Sequence, residues 1–395
     1  MGVGLIIPIL PEYKRIFSLS SAEAGLIPAG FFAGRLAFDL VGGILSDRLG
    51  PTRVLVTGSV LTGAASVVAG LTSSFPLFLA ALLVQGMGAG LFVTAAMSIV
   101  IALVPRGRTG RAMGTYQSMS LLGFSVGPTV GGLSAAAFGP RGPFFVYAAV
   151  AFGGLAVAMA ALRLPGPTGA QIGVAESTAP EWSLRSSLSL LHKQALLLAL
   201  LATCTLAWTS GGVRGSAVPL YASTDLSFDA VQIGLLMSAS SLGQLAVLAP
   251  GGYLLDRIGR RPVIISSTAA TGASIALLGV ATEPWTLVVV SVLFGMTLGC
   301  LGIGPWTVLV DVVEPRLYGT AAGIQRTALD LGKVVGPVAV GALIDVFDYR
   351  RAFIVCAGAV GLAALVLLRL PETKPPETAP SRGGRSPRVV DPSPD

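Results

Sequence analysis

The sequence predicts an all-α polytopic membrane protein with 6+6 transmembrane helices in two pseudo-symmetric halves, the first helix truncated. Three observations carry that prediction. Apolar residues make up 53% of the chain and charged residues only 11%, against roughly 25% charged in an ordinary soluble domain, and the mean hydropathy is +0.79. So few charges cannot cover a soluble surface of this length, whereas a bilayer asks for few. Apolar runs long enough to span then follow one another along the whole chain. Finally, the stretch Gly43-Ile44-Leu45-Ser46-Asp47-Arg48-Leu49-Gly50-Pro51-Thr52-Arg53 recurs 209 residues later as Gly252-Tyr253-Leu254-Leu255-Asp256-Arg257-Ile258-Gly259-Arg260-Arg261-Pro262. The same offset, without a gap, relates Gly25 to Gly234, Gly34 to Gly243, Gly86 to Gly295, Gly90 to Gly299, Gly123 to Gly332 and Gly127-Pro128 to Gly336-Pro337. An ungapped series that includes Asp-Arg and Gly-Pro pairs identifies two copies of one membrane unit.

In order, Met1 to Tyr13 is apolar but shorter than the ~20 residues a span requires, and it lacks the basic leader of a signal peptide. Gly4 to Pro11 reads as the outer half of a first span, so the chain is expected to begin upstream. Apolar runs follow near 22–45, 51–71, 75–104, 110–138 and 142–164, then a break rich in Gly, Pro, Ser and Thr from Pro165 to Ser189. Further runs lie near 191–221, 229–255, 262–281, 284–312, 318–346 and 351–370. The expected organisation is an N-terminal half at 1–164, a central cytoplasmic loop at 165–189, a C-terminal half at 190–370 and a tail at 371–395. The tail carries seven prolines and four Lys/Arg and is expected to be disordered.

Orientation follows from Lys and Arg. With the central break, the tail and the Asp47 loop placed in the cytoplasm, that side holds seventeen of the 26 basic residues and the other side five, with four inside spans. This bias puts both termini in the cytoplasm of a multi-pass cell-membrane protein. The net charge of +7 is thereby topological, and no nucleic-acid partner is expected. Cys204, Cys300 and Cys356 are odd in number and sit in apolar runs, which argues against a disulfide framework or metal cluster. The lone His192, beside Lys193, reads as a boundary residue rather than a proton relay.

The pattern Gly-x-x-x-Asp-Arg-x-Gly between the second and third spans resembles the signature of the major facilitator superfamily, and the 6+6 repeat extends the resemblance over almost the whole chain. The resemblance implies a conformational switch at Gly43, Asp47, Arg48, Gly50 and Arg53, and in the second copy at Gly252, Asp256, Arg257, Gly259 and Arg260. Small Gly43 would allow close helix approach, Gly50 a tight turn, and Asp47 and Arg48 charges that bond neighbouring helix ends in one conformation and release them in another. Pro51 and Thr52 depart from the pattern, which usually has basic residues there; the reading against a switch is a solvated basic loop that serves orientation only. In the fifth span, Gly123, Gly127, Pro128, Gly131 and Gly132 resemble the Gly-x-x-x-Gly-Pro-x-x-Gly-Gly motif of the antiporter branches. The glycines make a flat face for packing and Pro128 permits a kink; ordinary small-residue packing is the plainer reading. Pro8-Ile9-Leu10-Pro11 resembles the first-helix motif of the twelve-span drug-export branch. Gln85-Gly86-Met87-Gly88-Ala89-Gly90 resembles a second antiporter motif, but its usual arginine, three residues before the glutamine, is Leu82 here.

Charges inside spans are costly and point to substrate or proton work. Arg35 and Asp39 share a face of the second span, and Arg326, Asp330 and Lys333 share one of the eleventh. These five are the proton-coupling candidates. Asp330 would accept the proton beside Arg326 and Lys333, or the cluster is a static set of ion pairs. Asp311 and Asp345 lie near span ends and read as interfacial. The resemblance places a substrate cavity between the first, fourth, seventh and tenth spans, with Gln85, Thr94, Ser98, Trp208, Arg214, Trp306 and Thr307 as candidate lining. Aromatic rings and a few polar groups there would suit amphipathic molecules.

The expected function is therefore secondary transport by alternating access, exporting small amphipathic organic molecules in exchange for protons, by a monomer that needs no cofactor or metal. The alternative is a symporter or facilitator for a sugar or organic anion, suggested by Pro371-Glu372-Thr373-Lys374, which resembles a sugar-porter ending, and by the excess of intramembrane cations. No P-loop spacing for ATP is present, and no Ser/His/Asp or metal-ligand set points to an enzyme.

Overall fold

The computed structural model describes residues 2–103, 109–163, 193–314 and 317–373. The first stretch is helical in three pieces, α1 (Gly2–Ile6), a 3-10 turn (Ile7–Ile9) and α2 (Leu10–Ile16), divided where Pro8 and Pro11 remove backbone donors. There follow α3 (Ser21–Leu49), α4 (Pro51–Leu71), α5 (Phe75–Leu103), α6 (Thr109–Phe138) and α7 (Gly142–Arg163). The second half runs α8 (Gln194–Trp208), a π-helical segment (Thr209–Ala217), α9 (Val218–Thr224), α10 (Ala230–Ala246), α11 (Leu248–Ile258), α12 (Arg260–Leu278), α13 (Pro284–Val312), α14 (Tyr318–Val346) and α15 (Tyr349–Leu367). Among the described residues, ten helical stretches, from Pro51–Leu71 to Tyr349–Leu367, are long and apolar enough to cross a membrane; with the opening stretch and α3 they make the expected twelve. All of the central break at 165–189 and residues 374–395 of the tail lie outside the described residues, as does His192.

The repeat is visible in the backbone. Ser18 and Ser227, one offset apart, both adopt positive φ. Two residues on, Ser20 and Asp229 each cap the next helix in a reciprocal box: Ser20 Oγ accepts the Glu23 N–H while Glu23 accepts the Ser20 N–H, and Asp229 does the same with Gln232. Gly50 and Gly259, at φ +85° and +116°, terminate α3 and α11 at the signature loops; such φ values favour glycine. The apolar core runs across the halves: Ile7, Phe31 and Phe32 pack with Val213, Leu236 and Phe294 of the second half. Tyr13, Phe78, Phe144 and Leu82 of the first half are buried together with Leu220 of the second, with Tyr13 stacked on Phe78 at 4.7 Å.

The halves meet along two seams, α3 against α14 and α6 against α10. Both obey the repeat. A side chain at Gly25 would strike the Pro337 carbonyl, and at Gly234 the Pro128 carbonyl; at Gly341 it would strike Ser21, and at Gly132 Ala230. Each contact in one seam is the 209-residue image of one in the other. All four lie at the end remote from the Gly50 and Gly259 turns. Toward those turns the described contacts thin out: among the described residues a side chain at Gly323 would meet nothing within 4 Å, and Met119 is 65% exposed. The described seam contacts thus close the far end and are sparse at the signature end.

Candidate functional site

Midway along the α3–α14 seam the charges expected on two separate helices converge. Asp39 bonds Arg35, four residues earlier, at 3.6 Å, and Arg326 from the other half at 2.9 Å. The sequence spacing suggested Arg326 against Asp330; the structure instead sends Arg326 across the seam. Asp330 is 1% exposed and, among the described residues, neither of its carboxylate oxygens has a hydrogen-bond partner. Arg35, Arg326 and Lys333 all lie close enough to act on its charge. Lys333 has no carboxylate within 4 Å among the described residues and holds its ammonium 5.1 Å from the Phe32 ring centre on α3.

Arg214 enters from the π-helical segment. Its 8% exposure is tolerated because Nη1 donates to Gln244 Oε1 of α10 at 2.6 Å, while the guanidinium lies 5.7 Å from the Phe124 ring of α6. Glycines bring this segment onto α14: a side chain at Gly211 would lie 3.1 Å from Lys333 Cα, and one at Gly212 2.6 Å from the Gly336 carbonyl. Lys333 and Arg214 thus come from adjacent elements and feel one another's charge. Trp208 is half-buried at the head of the same segment, its carbonyl facing Gly336.

The other expected lining residues make local contacts. Gln85 is fully buried inside the first half, where its amide donates to Ser66 Oγ at 2.7 Å. The glycines beside it are packing surfaces: Gly86 faces the Phe31 carbonyl and Gly88 faces Gly58 and Thr62, which wedges α5 between α3 and α4. Thr94 bonds the Gly90 and Asp39 carbonyls, Ser98 the Thr94 carbonyl and Thr307 the Gly304 carbonyl. Trp306 is 42% exposed, and no described contact joins it to the central charges. Leu82, where an arginine was expected, fills the apolar core with Tyr13 and Phe78.

In the fifth-span motif, α6 runs unbroken through Pro128. Its small face takes α1, with Gly4 opposite Gly127 and Pro128 and Gly131 against the Leu5 carbonyl, while Gly132 takes α10; no described contact gives Gly123 a partner. At the signature loops, Gly43 and Gly252 are not close-approach sites. Among the described residues, a side chain at Gly43 would reach only Thr94, at 4.0 Å, and one at Gly252 nothing within 4 Å. Arg48, Arg53, Asp256 and Arg257 are exposed; the Asp47 side chain lies outside the described set. Arg260 is the anchored member of the second copy, bonded to Asp311 at 2.9 Å and Asp256 at 3.4 Å. Glu372 accepts the Arg260 and Arg261 backbone N–H groups at the start of α12, so the first tail residues dock on the second signature loop.

The sequence did not reveal Asp345 as a cross-half contact. Its Oδ1 accepts the Ser21 N–H at 2.7 Å and its Oδ2 the Ala22 N–H at 2.8 Å, which ties the last turn of α14 to the first turn of α3. One signal was available. An acid in the last turn of a helix opposes the dipole there, so it needs a partner from outside.

Two repeated six-helix halves around a seam of buried charge are the architecture of a membrane transporter. The comparisons with known proteins agree. The model of the Major Facilitator Superfamily matches residues 1–213 and again 200–392; the chain belongs to that superfamily, as a multi-pass membrane transporter. It is 25% identical over 370 residues to the quinolone resistance protein NorA of Staphylococcus aureus (strain MRSA252), covering 93% of this chain and 92% of that one. It is 26% identical over 366 residues to the multidrug resistance protein MdtG of Escherichia coli O9:H4 (strain HS), covering 90% and 87%. Among solved structures, a mutant of the nucleoside transporter NupG superposes with a TM-score of 0.76 at 16% identity, over 93% of this chain and 95% of that one; this likeness is one of fold.

Proposed function

We propose that the protein exports small amphipathic organic molecules from the cytoplasm in exchange for protons, as a monomer whose halves rock about the α3–α14 and α6–α10 seams. The excess of Lys and Arg on the signature side supports cytoplasmic termini, an orientation in which the structure would be the inward-open state. The resistance activities for which NorA and MdtG are named support drug-like cargo. The observation that carries proton coupling is Asp330, a carboxylate buried at the seam with no bonding partner beside a cluster of cations. Its protonation would redistribute Arg35, Arg326 and Lys333 and so bias one closure over the other. The switch role of the Asp47 and Asp256 loops is supported by the matched glycine turns.

The test is proton release from energised everted vesicles with a panel of lipophilic compounds. A compound that dissipates the gradient with wild type but not with Asp330→Asn supports the reading. Equal dissipation by both, or none with verified protein, overturns it. A second reading, co-transport or facilitated passage of a sugar or organic anion, is favoured by one specific observation: among the described residues of the seam, Arg35, Arg214, Arg326 and Lys333 stand against two acids, Asp39 and Asp330.

A further inference from the structure

We propose that the cargo carries a carboxylate, and that the Lys333 ammonium and the Arg214 guanidinium receive it between the halves. The inference rests on the transporter reading, and its test does not read proton flux.

Among the described residues, four cations and two acids lie in the seam region. Asp39 is already shared by Arg35 and Arg326. Even with both acids ionised, two positive charges are left over. A cation in the middle of a span is costly, so an unbalanced pair needs a reason. Helix adhesion does not supply one, because the glycine–carbonyl seams and Asp345 already join the halves.

Lys333 and Arg214 are the two whose charge is unanswered. Neither has a carboxylate within 4 Å among the described residues, and Arg214 has a neutral amide as its partner. Each leans on an aromatic ring of the opposite half, Lys333 on Phe32 and Arg214 on Phe124. A cation–π contact is a modest attraction, and charge-assisted hydrogen bonds to a carboxylate are the stronger kind. An arriving carboxylate can therefore draw either cation off its ring. The rings so released are apolar surfaces beside a fixed charge, which suits an aromatic acid. Lys333 and Phe32 stand on different halves, as do Arg214 and Phe124, so a bound acid touches both halves at once. That is where cargo must act to bias closure.

The test uses the purified full chain in nanodiscs and three flat aromatic scaffolds, each as the carboxylic acid and as its primary amide (2-naphthoic acid and 2-naphthamide first), titrated by calorimetry. The acids are expected to bind at least tenfold more tightly than their amides. Lys333→Gln and Arg214→Gln should each erase that preference, and Lys333→Arg should retain most of it, which separates lost recognition from lost folding. Acids no tighter than amides on all three scaffolds would overturn the proposal. So would an acid preference that survives both Gln substitutions. Because no proton flux is measured, failure of the exchange reading leaves these outcomes unchanged. Conversely, proton exchange in vesicles with no acid preference in nanodiscs would sink the carboxylate site alone.

Discussion

Replacing Asp345 should loosen the closed end of the molecule. Its carboxylate spans the seam, accepting the Ser21 and Ala22 N–H groups at 2.7 and 2.8 Å. These are free donors of the first turn of α3, where the helix dipole also favours an anion. A hydrogen bond to a charged group is worth ~1.5–3 kcal/mol. Asp345 is exposed, so water takes over part of that when the bond breaks, and about 2 kcal/mol for the pair is a fair figure. The matched position in the other seam is Ala136, which cannot substitute for it. Asp345→Ala should therefore shift the closed-to-open ratio of the far end by about thirtyfold, at 1.4 kcal/mol per factor of ten. Asp345→Asn, which keeps one acceptor and no charge, should shift it by about fivefold. Spin labels at Ser73→Cys and Thr282→Cys, repeat-related positions in far-end loops, on a background without Cys204, Cys300 and Cys356, report the ratio by electron–electron resonance. The measurement belongs under conditions where the parent populates both distances. A ratio changed by less than twofold in Asp345→Ala would refute the assignment of this contact as a latch.

Three further outcomes follow from the packing. Gly25→Val and Gly234→Val place methyl groups on the Pro337 and Pro128 carbonyls; both should hold the far end open and abolish transport to a similar degree, read from the same labels and from vesicle flux, and a large disparity would contradict the symmetric seam. Glu372→Ala removes an acceptor from the Arg260 and Arg261 N–H groups and should lower stability by about 1–2 kcal/mol, seen as a lower midpoint on heating, with cargo preference unchanged. Gln85→Leu cuts the bond to Ser66 inside the first half and should leave the cargo profile intact; a changed profile would return Gln85 to the cavity.

What the sequence made legible was whatever repeats locally. Helix limits, the glycine turns at Gly50 and Gly259 and the seam glycines all sit one offset apart, because each is fixed by backbone geometry that both halves share. The site was legible only by residue. Arg35, Asp39, Arg326, Asp330 and Lys333 stood out because charge inside a span is rare, but their pairing did not follow, since spacing along one helix says nothing of what faces it. Arg326 was closer in sequence to Asp330 and is bonded to Asp39. Gln85 was misplaced for a related reason: a glutamine among glycines looks the same whether the glycines open a cavity or let three helices close. Asp345 and Glu372 act on backbone N–H groups far away in the chain, and backbone donors leave no mark in the sequence.

The two proposals also constrain one another. A carboxylate on Lys333 and a proton on Asp330, three residues away on α14, are charges of opposite sign held in one poorly hydrated seam. Each favours the other, and linkage makes the effect reciprocal. A cargo that is only an acid therefore binds best together with the proton and carries it in the same direction. Exchange requires that cargo and proton compete, which happens when the cargo brings a positive group of its own into the field of Asp330. An exporter built on this seam thus selects amphoteric molecules, whereas plain acids make the same seam a co-transporter. Matched compounds decide it: an aromatic acid and the corresponding aromatic amino acid, added to everted vesicles, should drive protons in opposite directions, and Asp330→Asn should silence both. Proton movement of the same sign for the two would mean that Asp330 and Lys333 are not coupled, and that the proton, if it moves, uses another group.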